Sequence, residues 1–222
     1  MIVSTAPDWN SMRGSMRLFE RRGTAWVPVS GFIPVLFGKN GLAWGRGIAS
    51  GNQPPLFKCE GDGRAPAGKF RLGKIYTPDP ALPRGANYPF HRLGPADAWV
   101  DDVDNPYYNQ HVFIPDPAKR PPWFESQRMR VGDFAYRWLV DIRHNRDDIV
   151  PGAGSAIFFH IRRGEARPSH GCTTMAEEDL VRMIRWLRAD ANPVYVLLPR
   201  REYRELWRRW KLPPPELAIP GG

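Results

Sequence analysis

The stretch "FFHIRRGEARPSHGCTTMAEEDL", Phe158 to Leu180, sets a histidine at the end of an apolar run, a second histidine two residues before a cysteine, and a helix start directly after it. "AIFFHI" (156–161) carries apolar side chains on both faces, which predicts a buried central strand ending near His160. Thr174 followed three residues later by Glu177 forms a capping box, so a helix is expected from Thr174 onward. Leu180, Ile184 and Leu187 fall on one face of that helix, with Arg182, Arg185 and Arg188 opposite as a solvated face. The order is therefore strand, tight turn, cysteine, helix.

That order suits nucleophilic chemistry. A thiol of ordinary pKa near about 8.5 must become a thiolate to attack a carbonyl, and a nearby imidazole and a helix N-terminus both favour the anion. Cys172 lies two residues before the predicted N-cap, His160 is fixed by its strand, and "IRRGEARPS" is long enough to fold the thiol back beside the ring. Gly171 permits a turn that aims successive backbone N–H groups at a developing oxyanion. Two other readings stay open: a cysteine merely packed at a turn, or a zinc site of His160, His170 and Cys172 with Glu165 as fourth ligand.

Working outward, "SMRLFERRGTAWVPVS" reads as strand, turn, strand. "FIPVLFGKNGLAWGRGI" carries Asn40-Gly41 between apolar stretches, a type I′ hairpin signal. "GKFRLGKIY" (68–76), "HVFI" (111–114) and "NPVYVLLP" (192–199) are expected strands. "FAYRWLVDI" (134–142) shows the clearest period-two alternation. Between Thr77 and Pro122 a long stretch rich in Pro, Asp, Asn and Tyr is expected to wall a cleft. A second amphipathic helix is expected over 200–212, followed by the Pro-rich tail "PPPELAIPGG" lying on the surface.

With 222 residues, 42% of them hydrophobic, the chain can bury a sizeable core. Its 24 prolines and 21 glycines, spread throughout, favour short elements and a β-rich fold. No apolar run reaches the roughly 20 residues of a membrane span. The N-terminal "MIVSTAPDWN" has neither the basic leader nor the apolar core of a signal peptide, as expected of a cytosolic protein or a mature secreted form. Thirty-two Lys and Arg against 23 Asp and Glu give a net charge of +9, which favours a polyanionic partner: nucleic acid, an anionic membrane surface or an acidic polymer. No nucleic-acid recognition motif accompanies the charge. Two cysteines, Cys59 and Cys172, make no disulfide framework, and free thiols are expected. His91, His111 and His144 are dispersed along the chain, and nothing in the sequence places them at the site.

The tetrapeptide "SHGC" (169–172), preceded by a strand-borne histidine, resembles the signature of the L,D-transpeptidase catalytic domain, or YkuD domain. "GDGRAPAGKFRLG" (61–73) is similar to that family's Thr-Pro-x-Gly strand segment, with Ala65 where Thr is usual. The two segments span about residues 60 to 175. The resemblance implies a mostly β fold, a mixed β-sandwich with a helix after the cysteine and a C-terminal amphipathic helix. Residues 1–212 would form a single catalytic domain and 213–222 its tail.

It also implies roles. Cys172 would attack a peptide carbonyl and form a thioester; His160 would take the thiol proton and later deprotonate the acceptor amine; His170 would support the thiolate. The N–H groups of Gly171, Cys172 and Thr173 would form the oxyanion hole, with Ser169 and Thr174 close to substrate. The chemistry needs no metal and no organic cofactor. Partners would be peptidoglycan peptide stems, whose carboxylates match the basic surface, and not nucleic acid; the chain is expected to be a monomer in the periplasm, where that substrate lies. Two departures stand out: the spacer from His160 to Ser169 is short, and Thr173 and Thr174 replace the usual aliphatic residue and Arg or Asn. With "DDVDNPYYNQ" (101–110), these resemble a branch associated with joining L-Ala at stem position 1 to diaminopimelate at position 3, instead of the commoner 3,3 link. Tyr107, Tyr108 and Asn109 form a polar-aromatic cluster suited to a sugar or peptide stem. Arg162, two residues after the base, would share its strand face and meet a stem carboxylate. The rival readings are an L,D-carboxypeptidase or secreted hydrolase on the same site, a non-catalytic peptidoglycan-binding module, and a basic nucleic-acid-binding protein.

Overall fold

β6 (Ala65–Thr77) is the spine of the fold: it hydrogen-bonds to β13 (Val194–Pro199) on one side and β10 (Leu139–Ile142) on the other. The computed structural model describes residues 1–51 and 56–221. The remaining elements are β1 (Ile2–Ala6), β2 (Arg13–Arg22), β3 (Ala25–Pro28), β4 (Ile33–Leu36), β5 (Leu42–Trp44), β7 (Phe90–Arg92), β8 (Asp97–Trp99), β9 (His111–Phe113), β11 (Phe158–Ile161), β12 (Thr173–Met175), α1 (Glu177–Trp186), α2 (Arg200–Leu206) and α3 (Pro215–Ala218). Neighbours run β1-β13-β6-β10-β11-β12-β4-β2-β3, and β1 also pairs with β2, so this mixed sheet closes on itself into a barrel-like wall. β8 and β9 form a separate two-stranded ribbon. The mostly β class expected from the sequence is the class observed, with few helices.

Closure gives β1 a partner on both sides and so removes an edge that would otherwise invite pairing with other chains; β3 stays at the end of the path. It also buries β1 completely between β13 and β2, although "IVSTA" contains two hydroxyl residues and shows no period-two alternation. β11 lies between antiparallel β10 and parallel β12 with all four residues buried, as its apolar run predicted. α1 packs on β11 through Leu180, Met183 and Ile184, each fully buried. Burial of such side chains contributes about 1.5–3 kcal/mol apiece.

Five local expectations are corrected. Asn40-Gly41 makes a tight turn, but only Gly41 has a positive φ (+82°), so the turn is not type I′. Its flanking strands do not pair: β4 joins β2 and β12, whereas β5 runs parallel to β6. In "FAYRWLVDI", residues 134–136 form a 3₁₀ turn, because the Asp133 carboxylate accepts the Ala135 N–H at 3.1 Å; the strand begins only at Leu139. Thr174 is not an N-cap. It lies in β12 opposite Leu36, and α1 starts after Ala176 with no side-chain cap. The second helix ends at Leu206, short of 212. The C-terminal segment does not lie wholly on the surface either: Ala218 and Ile219 join the core, and the Tyr203 hydroxyl donates to the Pro213 carbonyl at 2.8 Å. The stretch from Thr77 to Pro122 holds β7, β8 and β9 and packs over the sheet through Leu93 and Trp99.

Candidate active site

β11 and β12 run parallel with His160 opposite Thr174 and Phe159 opposite Thr173. Side chains alternate along strands, so Phe158 and His160 share one face with Cys172 and Thr174. That face floors a cleft of about 630 Å³, also lined by Lys58, Glu60, Asp101, Arg130, Asp133, Tyr136, Arg163, Arg167, Ser169, His170 and Gly171. A larger cavity of about 850 Å³ opens elsewhere, around Asp141, Arg143 and Arg146, and holds neither Cys172 nor His160. The cavity that holds the Ser-His-Gly-Cys turn is thus the smaller of these two.

The turn carrying the cysteine is built by its own sequence. The Gly171 N–H donates to Ser169 Oγ at 3.0 Å, and that hydroxyl donates to the Cys172 carbonyl at 2.6 Å. The Phe37–Lys39 backbone holds the same segment from outside, with Lys39 N–H on the Ser169 carbonyl and Ser169 N–H on the Phe37 carbonyl. Gly171 has φ +152°, and a Cβ there would lie 3.0 Å from the Arg64 carbonyl oxygen and 3.1 Å from Ile157 Cδ1. The "GRAPAGKF" segment thus runs directly beneath the Ser-His-Gly-Cys turn, so the two sequence motifs meet in space.

Cys172 Sγ lies 3.4 Å from the Phe158 N–H, which donates to it, and 3.5 Å from the Ala156 carbonyl. The sulfur sits at the floor of the cleft, and burial pushes its thiol up to about 11, against the opposing effects of the Phe158 N–H and the Lys58 charge. The helix does not supply the stabilising donor; a neighbouring strand does. His160 is buried, and its Nδ1–H donates to the Ile161 carbonyl at 2.9 Å, which leaves Nε2 as the basic nitrogen. Burial pushes the imidazole down to about 4. Tyr136 packs edge-on to it at 5.1 Å. At neutral pH the resting pair is therefore thiol and neutral imidazole.

Among the other expected site residues, His170 is exposed at the rim, and Thr174 lies buried in the lining with no partner for its hydroxyl among the described residues. Gly171 N–H is occupied by Ser169, which leaves the Cys172 N–H, like that of His170, with no acceptor among the described residues. Arg162 lies beyond the end of β11 and pairs with Glu165 at 3.4 Å; Arg163 turns into the cleft instead. Tyr107, Tyr108 and Asn109 do not line the cleft. Tyr107 stacks on Trp123, Tyr108 hydrogen-bonds to Glu60, and buried Asn109 bridges the Asn145 carbonyl at 2.7 Å and the Ala156 N–H at 3.1 Å. Both cysteines are free, Cys59 on the surface.

Sequence reasoning missed the charged wall. Lys58, with its side chain 3% exposed, is held by Asp62 at 2.5 Å. Arg163 pairs with Asp133 and lies 5.2 Å from the centre of the Tyr136 ring. Arg130 and Arg167 carry no ion pair among the described residues. These residues come from three separate loops, so no local spacing announces them.

Residues 23–196 match the family of L,D-transpeptidase catalytic domains (YkuD). The chain belongs to that family. The match spans both motifs and the whole of β11 and β12. No curated protein and no solved structure matches the chain. No helix among the described residues is long and apolar enough to cross a membrane.

Proposed function

We propose that the chain is a cysteine L,D-transpeptidase acting on peptidoglycan stems in the periplasm. The observation that carries this reading is the common face of β11 and β12, which brings Cys172, His160 and the unpartnered Thr174 hydroxyl into one cleft. His160 Nε2 takes the thiol proton as Cys172 Sγ attacks a stem carbonyl. The oxyanion forms against the Cys172 N–H. Collapse expels the leaving amine, which receives the proton from His160, and leaves a thioester. An acceptor amine then gives its proton to His160 and attacks the thioester, which restores the thiol.

The cleft's mixed charge suits a substrate bearing both carboxylates and amines. Lys58, Arg130, Arg163 and Arg167 can meet carboxylates, while Glu60, Asp101 and Asp133 supply the opposite sign. Thr174 lines the cleft where the family usually carries a charged or polar residue, in keeping with a different donor stem and a 1,3 link, whereas Thr173 faces the core and bonds to the Tyr195 hydroxyl. Mass spectrometry of disaccharide-peptide fragments after incubation with protein, and with Cys172→Ala, tests both levels. Cys172-dependent dimers joined through residue 1 of the donor are expected. Dimers joined through residue 3 would reassign the link, shortened stems without dimers would mean a hydrolase, and unchanged fragments would leave a binding module.

A further inference from the structure

His91, Asp97 and His111 come from three different strands, β7, β8 and β9, and meet at one point. Each imidazole turns its Nε2 to the same carboxylate oxygen, Asp97 Oδ1, at 2.6 Å from His91 and 2.8 Å from His111. The other oxygen, Oδ2, accepts the Gly94 N–H at 2.7 Å, which fixes the carboxylate's orientation. The Asp97 side chain is 1% exposed, whereas His91 and His111 keep 27% and 17% of theirs open. One atom from each of the three residues can be chosen so that all lie within 4.8 Å of one another.

We propose that these three residues bind one divalent transition cation of the zinc class through two imidazole nitrogens and one carboxylate oxygen. Neutral imidazole and carboxylate are the donors such an ion takes, and three protein ligands with an open side for water are a recurring arrangement. Metal–ligand bonds of about 2.0–2.2 Å put neighbouring ligand atoms roughly 3.3–3.6 Å apart at the tetrahedral angle, so each ring nitrogen needs to move away from Asp97 Oδ1 by roughly 0.5–1 Å. On binding, the Nε2–H proton that each ring gives to Asp97 passes to solvent while Nδ1 takes one up, so each ring keeps a single proton, now on Nδ1, and no net proton is released. Asp97 is already oriented by Gly94, the kind of outer-shell support that holds a metal ligand in place.

The site has a mechanical consequence. Tyr76 lies 5.0 Å from the His111 ring and 5.9 Å from that of His91. Trp99, at the end of β8, stacks edge-on against Phe158 at 4.7 Å. Phe158 donates its N–H to Cys172 Sγ, so the cation would clamp the layer that backs the nucleophile without touching the reaction.

The test uses the full chain with both thiols removed, Cys59→Ser with Cys172→Ala, so that sulfur cannot bind the probe. After chelator treatment, Zn²⁺ is titrated calorimetrically, bound metal is counted by mass spectrometry, and Co²⁺ absorption is recorded. One equivalent of Zn²⁺ is expected, with a raised melting temperature and a Co²⁺ spectrum lacking sulfur charge transfer. His111→Ala and the milder His91→Gln, on the more exposed ring, should each weaken binding at least tenfold. Absence of stoichiometric binding, or binding unchanged in a folded His91→Gln protein, would overturn the proposal and leave a hydrogen-bonded triad.

Discussion

His160 and Thr174 are direct partners across the parallel β11–β12 ladder, although 14 positions separate them in the chain. That single register places Cys172, two residues earlier, on the face the base occupies. It also frees the Thr174 hydroxyl, buried without a partner, to meet whatever fills the cleft.

Thr174→Val should therefore keep the fold and lose a substrate contact. A neutral hydrogen bond is worth about 0.5–1.5 kcal/mol, so KM is expected to rise roughly two- to twelvefold with a smaller change in kcat. Steady-state kinetics on a stem donor checks this. An unchanged KM would remove Thr174 from the site.

The pH profile follows from burial of the base. Below its pKa the imidazole is protonated and cannot accept the thiol proton, so activity falls on the acid side. With His160 pushed down to about 4, the acid limb of kcat/KM should lie near pH 4, well below an ordinary histidine. A limb near 6.5 would show that the ring is more open than its packing against Tyr136 implies.

Lys58 should tune the nucleophile. Its buried ammonium opposes the upward push that burial gives the Cys172 thiol. Lys58→Met should slow alkylation of Cys172 several-fold at a fixed pH and move the rate midpoint to higher pH, with circular dichroism unchanged. Equal rates in the two proteins would assign Lys58 a packing role alone.

Gly171→Ala places an L side chain at φ +152°, against the Arg64 carbonyl. Strain of this kind costs on the order of 1–3 kcal/mol. A melting temperature lower by several degrees is expected, with activity falling further because the turn that aims the thiol is displaced. Thermal melts and kinetics run together separate the two losses.

Acid should unfold the protein through neutral buried rings. His144 accepts the Arg46 N–H at Nδ1 and donates from Nε2 to the Ala153 carbonyl, and burial pushes it down to about 3. Its folded pKa and that of His160 lie below the unfolded value near 6.5, so the unfolded chain binds more protons as pH drops. Stability is full above about pH 6.5 and is lost progressively toward pH 4 and 3, by up to about 1.4 kcal/mol per pH unit per ring. Urea melts at pH 7.5 and 4.5 measure the slope, and His144→Gln should flatten it.

Much of the fold was legible where burial leaves a local mark. "AIFFHI" and "NPVYVLLP" are apolar on both faces because their strands are covered on both sides. The Ser-His-Gly-Cys turn was legible because its Ser169 hydroxyl and its Gly171 backbone are both required by the turn itself. "FAYRWLVDI" misled because bulky residues alternate there for another reason: Asp133 bends the first half into a turn that leaves Phe134 exposed and sends Trp138 inward. The Thr174–Glu177 pair imitated a helix cap because a hydroxyl facing a cleft and a hydroxyl capping a helix look the same in sequence. Tyr108 and Asn109 read as ligand contacts, but both are consumed in holding loops together. Lys58, Arg130 and Arg163, and likewise His91, Asp97 and His111, converge only through long-range packing, which no spacing records.

The central claim is that Cys172 carries the acyl group and His160 moves the proton. Intact-protein mass spectrometry with a tetrapeptide stem, quenched early, tests it most directly. The account predicts an adduct of the donor's residue-1 acyl fragment, with the rest of the stem released, labile to hydroxylamine, missing in Cys172→Ala and strongly reduced in His160→Ala. An adduct that survives in Cys172→Ala, or no adduct at all from a protein whose cleft binds the stem, would contradict it.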